Sequence, residues 1–209
     1  ENVVVYNVET MYNLYEAAYN NAPVSSKLVS IVGEIDNPVT LRVPLGTSVK
    51  DTIAMAGKTT CKNPAYVMGG PMMGRLGTDD TVITKTTNAI IILPSDHKLV
   101  AKMNKNLSIE KKRASSSCCQ CRTCTDLCSR HALGHPIEPH KLMRAVANND
   151  TSDLSVFTNS AYCSGCGICE NYACPQGLSP KSIIQEFKAG LRGAGIKIEK
   201  LEPAPVEES

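Results

Sequence analysis

The spacing of the cysteines constrains this chain more than any other feature. Ten cysteines occur in 209 residues, at positions 61, 118, 119, 121, 124, 128, 163, 166, 169 and 174. Cys118, Cys121, Cys124 and Cys128 read C-x2-C-x2-C-x3-C. Cys163, Cys166, Cys169 and Cys174 read C-x2-C-x2-C-x4-C, with Pro175 directly after. Three thiolates at three-residue steps can wrap one loop around a cubane, each reaching a different iron of a [4Fe–4S] cluster. The fourth iron then takes its ligand from elsewhere, and where two such runs occur together the fourth cysteine of each ligates the other cluster. By that rule one cluster takes Cys118, Cys121, Cys124 and Cys174, and the other takes Cys163, Cys166, Cys169 and Cys128. The crossing ties the two halves together and keeps the clusters close enough to exchange electrons.

Other uses of cysteine fit less well. Disulfide frameworks suit small secreted chains without a core, and thiols at C-x-x-C steps are poor material for separate cross-links. Structural zinc takes four ligands in pairs of C-x2-C, so a third cysteine three residues on, twice over, is surplus. Cys61 and Cys119 read as buried or idle thiols. Two departures from the simplest ferredoxin run stand out. Cys128 is followed by Ser129 rather than Pro, and the second run carries one extra residue before Cys174. His97, His131, His135 and His140 read as surface or hydrogen-bonding groups, because eight cysteines already fill eight iron positions.

Composition excludes several alternatives. Basic residues number 22 and acidic ones 20, a net charge of +2, without the concentrated basic face of a nucleic-acid binder. Aromatics are 4%, too few for base-stacking platforms. The strongest apolar run, Ala89–Leu93, is far short of the roughly 20 residues of a membrane span.

Along the chain, Val3–Val5 read as a strand. Met11, Leu14, Tyr15 and Ala18 then mark one face of a helix. A lone strand and helix look like the tail of a preceding α/β domain, and a chain opening on Glu1 without Met reads as a piece of something longer. Residues 27–95 read as a small mixed domain. The strand candidates are Leu28–Val32, Val39–Val43, Ala65–Met68 and Ile90–Leu93, with a helix capped by Thr47 or Ser48 and ended by Gly57. That content fits a β-grasp fold. Gly69-Gly70-Pro71-Met72-Met73-Gly74 is glycine-rich but is no P-loop, since no Gly-Lys-Ser/Thr follows. It reads as a tight turn, or as a packing loop with adaptable methionines.

Residues 96–117 read as a basic linker, a helix or an extended connection, with a solvated lysine face. Residues 118–195 hold the paired runs, each followed by a Pro-started helix, at Glu138-Pro139 and at Ser179-Pro180. Such helices would shield the clusters from water. Residues 196–209 read as a flexible acidic tail. The fold class expected is α+β, a β-grasp domain followed by a helix-rich dicluster ferredoxin-like domain.

These residues resemble a known family. Val29–Leu93, with the Gly69–Gly74 loop, resembles the soluble-ligand-binding β-grasp (SLBB) domain of the C subunit of Rnf electron-transport complexes and its relatives. Residues 3–10 resemble the end of the Rossmann-like flavin domain that precedes it there, so residues 1–26 are expected to be its remnant. The segments Cys118–Cys128, Leu133–Arg144 and Cys163–Pro180 resemble most the branch of cobalamin reductases of propanediol-utilisation microcompartments. The extra residue before Cys174 and the missing Pro after Cys128 favour that branch. The resemblance implies electron flow from NADH onto FMN, through two [4Fe–4S] clusters, to the cobalt of a corrinoid. It implies a redox partner or corrinoid-handling enzyme, and a cytoplasmic setting that in this branch is a bacterial microcompartment. FMN and NADH are expected to bind only in a part preceding Glu1, so the segment itself would carry electrons without oxidising NADH. Competing readings are an electron-input component of a membrane-associated complex, a β-grasp module that binds cobalamin or a partner, and a zinc-stapled structural protein.

Overall fold

A computed structural model of the chain describes residues 3–196. The chain divides into two compact units, Glu1–Met103 and Asn104–Ser209. Residues 197–209, most of the expected tail, lie outside the described residues.

The first unit is built on a five-stranded mixed sheet. Its elements run α1 (Val8–Tyr19), β1 (Ser26–Gly33), β2 (Val39–Pro44), α2 (Val49–Ala56), β3 (Pro64–Met68), β4 (Arg75–Gly77), β5 (Ala89–Pro94) and α3 (Lys98–Met103). The strand order is β2-β1-β5-β3-β4, with β1 and β5 parallel and the other neighbours antiparallel. Alternation does the sorting. Val29 and Ile31 in β1, Val43 in β2, and Ile90 and Ile92 in β5 are fully buried and close on Val49 and Ile53 of α2. Ser48 caps α2, its side chain accepting from the Asp51 amide, and Gly57 ends it. This is the β-grasp arrangement, a mixed sheet over one helix.

Two readings of this unit change. Val3–Val5 form no strand and are 71%, 71% and 89% exposed. A strand needs a neighbouring ladder, and the described residues offer these three none. The helix expected after them is present, but none of its residues is buried. In addition, the short strand β4 follows the glycine-rich loop, which makes a tight turn between β3 and β4. The Gly74 amide donates to the Gly70 carbonyl at 2.7 Å. A Cβ on residue 74 would lie 2.5 Å from the Gly70 oxygen and 2.9 Å from the Met68 oxygen. Backbone cannot yield as a side chain can, so Gly74→Ala should destabilise the fold by about 1–3 kcal/mol, read as a lower urea midpoint at unchanged m-value.

The second unit is helical. Its elements are α4 (Leu107–Ser117), α5 (Thr123–Asp126), α6 (Ser129–Ala132), α7 (Pro139–Asn148), α8 (Ser155–Thr158), a 3-10 turn (Asn159–Tyr162), a π turn (Cys169–Ala173) and α9 (Pro180–Gly193). Pro139 and Pro180 stand in the first turns of α7 and α9, where a missing N–H costs nothing. Leu142 and Met143 of α7, Leu178, and Ile183 and Ile184 of α9 are all at most 2% exposed and form one core with Ala114 of α4. Each large aliphatic side chain buried this way contributes about 1.5–3 kcal/mol. Most of residues 96–117 is thus helical, as α3 and α4, and α4 buries Ala114 and Glu110. The buried residues are an alanine and a glutamate, so no apolar stripe announced the packing.

Candidate iron–sulfur site

The two cysteine runs fold into loops of one backbone shape. Cys118 caps the end of α4, and its loop runs to Cys124 in α5. The 3-10 turn delivers Cys163, whose loop runs to Cys169 at the start of the π turn. The third and fifth residues of each loop are left-handed: Gln120 (φ 54°) and Arg122 (φ 64°) in the first, Gly165 (φ 74°) and Gly167 (φ 83°) in the second. Glycine adopts this region freely, whereas the two side-chain-bearing residues each cost about 1–2 kcal/mol.

Thiols from distant parts of the sequence meet here. Cys118, Cys121, Cys124 and Cys174 line one open pocket, together with the neighbouring Cys119 and alongside His140, Met143 and Leu178. Burial pushes the Cys124 thiol up to about 12, and the neighbouring Cys118, Cys174 and Cys121 thiols add to the shift. Burial also raises Cys169, with further contributions from Cys163, Cys124, Glu170 and Cys128. Cys169 therefore senses Cys128 across the two runs, and Cys124 senses Cys174. Cys166 is half-buried in the second loop. Among the described residues, no three His, Cys, Asp or Glu side chains are grouped tightly enough to hold a single metal ion. The donor set fits an iron–sulfur cluster, whose ligands are thiolates. Cys119 is exposed, and Cys61 lies half-buried against the core of the first unit.

Hydrogen bonds fix the sulfurs. Gln120 Nε2 donates to Cys118 Sγ at 3.1 Å, Thr123 Oγ1 to Cys121 Sγ at 3.4 Å, and the Leu178 amide to Cys174 Sγ at 3.4 Å. Cys163 Sγ accepts from the Gly165 amide at 3.3 Å and from Gln185 Nε2 at 3.2 Å. The Thr123 hydroxyl and amide draw the Cys121 thiol below its usual range.

The extra residue before Cys174 is absorbed by the π turn Cys169–Ala173. Such a turn takes up one residue without breaking the surrounding fold. Glu170 within it is buried and accepts from both the amide and the hydroxyl of Ser182, each at 3.0 Å, in the first turn of α9.

Glu110 fixes the segment that carries Cys174. It is 3% exposed and accepts from Ser179 Oγ at 2.6 Å and Arg113 Nη1 at 2.8 Å, with Lys105 Nζ at 3.5 Å. Burial alone would raise its carboxyl. The Ser179 and Arg113 hydrogen bonds and the two cations outweigh that and hold it below the usual carboxylate range. Lys105 Nζ also donates to the Gly177 carbonyl at 3.3 Å.

Three of the four histidines are hydrogen-bonding or stacking groups, whereas the buried Nδ1 of His131 has no hydrogen-bond partner among the described residues, against the surface or hydrogen-bonding role expected of it. His140 Nδ1 pairs with Thr125 Oγ1 at 2.8 Å, and burial lowers its pKa. His135 stacks on Tyr162 at 5.3 Å, and His97 Nδ1 accepts from the Leu99 amide at 3.1 Å.

Comparison with known proteins agrees with this architecture. Residues 117–179 match the 4Fe–4S dicluster domain and residues 28–76 the SLBB domain. The chain thus carries an SLBB domain followed by an iron–sulfur dicluster domain, and electron transfer is the work of the latter.

The chain is similar to the cobalamin reductase PduS of Citrobacter freundii, 38% identical over 198 residues, 94% of this chain and 44% of the relative. The same protein of Salmonella typhimurium is 38% identical over 204 residues, 97% of this chain and 45% of the relative. The C subunit of the ion-translocating oxidoreductase complex of Pectobacterium atrosepticum is 30% identical over 128 residues, 60% of this chain and 17% of the relative. The chain thus spans less than half the length of the curated relatives it matches. Among the described residues, no helix is long and apolar enough to cross a membrane.

Two outcomes follow from the geometry. In iron-free protein, iodoacetamide followed by peptide mapping should label Cys121 well before Cys124 and Cys169, because the thiolate is the reactive form. Glu110→Ala leaves the buried Ser179 hydroxyl without its acceptor, so it should cost about 1–3 kcal/mol in thermal or denaturant unfolding.

Proposed function

We propose that this chain is the electron-carrying part of a corrinoid reductase and holds two [4Fe–4S] clusters. Cys118, Cys121, Cys124 and Cys174 hold the first cluster; Cys163, Cys166, Cys169 and Cys128 hold the second. One observation carries the reading: Cys174, from the second run, shares a pocket with the three leading thiols of the first. The placement of Cys128 near enough to add to the rise of the buried Cys169 thiol, after Cys163, Cys124 and Glu170, supports the reciprocal exchange. A bound [4Fe–4S] cluster accepts and releases a single electron. The chain's own residues hold the thiolates, keep water from Cys124 and Cys169, and supply N–H and O–H donors to the sulfurs.

In this reading the electrons originate from NADH through FMN, bound in a part of the full protein that this chain does not match. The acceptor is the cobalt of a corrinoid, reached directly or through a corrinoid-handling partner enzyme. The likeness to PduS over nearly the whole chain supports that acceptor. It also supports a cytoplasmic setting inside a bacterial microcompartment. The weaker likeness to the ion-translocating oxidoreductase complex favours a second reading, electron input to a membrane-associated complex. Cobalamin reduction by the full-length protein in the absence of membranes supports the first reading, and a strict requirement for membrane partners supports the second.

The exchange of fourth ligands has a specific consequence. Cys174→Ser should abolish the cluster of the first run and leave that of Cys163, Cys166 and Cys169, halving the iron per chain. Cys128→Ser should do the reverse. Electron paramagnetic resonance of the reduced proteins identifies which signal is lost. Loss of the same-run cluster in each variant would show that the fourth ligands are not exchanged.

A further inference from the structure

The two cysteine loops share a backbone shape but differ in sequence at one informative place. The residue between the first and second ligand thiols that adopts the left-handed conformation is Gly165 in the second loop and Gln120 in the first. Glycine is the natural occupant of such a position. A glutamine held there is strained, and strain of this kind persists only where the surroundings fix it.

The strained side chain makes a defined contact. Its carboxamide Nε2 donates to Cys118 Sγ at 3.1 Å. The second loop receives the same contact by another route. Gln185, on α9, donates Nε2 to Cys163 Sγ at 3.2 Å. Gly165 leaves the space for it: a Cβ there would stand 3.3 Å from Gln185 Nε2 and 3.7 Å from its Cδ. Cys118 and Cys163 are each the first thiol of their run. Each therefore accepts one glutamine amide, in one case from within the loop and in the other from a helix 22 residues further along the chain.

We propose that Gln120 and Gln185 are positioning residues that set the reduction potential of the two iron–sulfur centres, each through the first thiolate of its own run. The inference rests on the reading of the chain as a two-cluster carrier. The physical basis is charge. An N–H directed at a thiolate sulfur stabilises negative charge, and the reduced centre carries more of it, so the hydrogen bond raises the potential. A carboxamide does this without adding a titrating group, so its contribution stays constant across ordinary pH.

The test is a redox titration of anaerobically purified full chain, followed by electron paramagnetic resonance, with iron and sulfide counted in every sample. The variants are Gln120→Gly, Gln185→Met and the pair combined. Gln120→Gly removes the donor and at the same time gives the loop the residue its counterpart has, so folding is preserved. Methionine at 185 keeps an unbranched side chain of similar length without an N–H.

Each single variant should retain its iron and sulfide and lower the midpoint of one centre only, a different one in each. A tenfold change in the reduced-to-oxidised ratio at fixed potential corresponds to about 59 mV for one electron. The double variant should lower both. Full iron loading with both midpoints unmoved in Gln120→Gly would overturn the inference while leaving the two-cluster reading intact. Unmodified protein that assembles no clusters would overturn both.

Discussion

Crowding of buried thiols is the constraint on which the second unit depends. Cys124 and Cys169 are raised first by burial and then by the other thiols around them. Bringing several thiolates out of water and close to one another is unfavourable unless cations neutralise them. The helical core opposes that cost. Leu142, Met143, Leu178, Ile183 and Ile184 pack into one cluster, and the half-buried Cys118, Cys128, Cys163 and Cys174 lie against it. Apolar burial thus holds in place a sulfur arrangement that iron would stabilise, which couples metal binding to folding in the way described for other metal sites.

The same core explains why residues far from the cysteines matter. Glu110 sits on α4, yet its carboxylate holds Ser179, five residues after Cys174. Glu170 joins the π turn to the first turn of α9. Two buried carboxylates therefore clamp the two sides of the segment that carries Cys174 from its own run to the thiols of the other. Removing either would leave polar partners unsatisfied in a water-poor region, where each costs more than an exposed hydrogen bond contributes.

Much of this was legible in the residue order. The three-residue cysteine steps pointed to the cluster chemistry, the apolar run Leu28–Val32 located one strand, and the alternation of Val39, Leu41 and Val43 with Thr40 and Arg42 located a second. Thr47 or Ser48 with Gly57 bounded a helix, and Pro139 and Pro180 opened two more. What escaped the sequence depends on partners across space. Glu110 and Ala114 bury one face of α4, but neither residue type signals a core. The π turn was visible only as a surplus residue between Cys169 and Cys174, with no indication of the backbone that absorbs it. Val3–Val5 have strand propensity, but propensity cannot supply a neighbouring strand. Gln120 and Gln185 carry no motif at all; their equivalence appears only when the two loops are compared in three dimensions.

In the proposed function the paired runs hold two [4Fe–4S] clusters rather than zinc or free thiols. Metal and sulfide analysis of the chain purified without oxygen tests it most directly. Two clusters require about eight irons and about eight acid-labile sulfides per chain, four of each for every cluster, with negligible zinc. Zinc bound without sulfide would contradict it and leave a zinc-stapled interaction domain in its place.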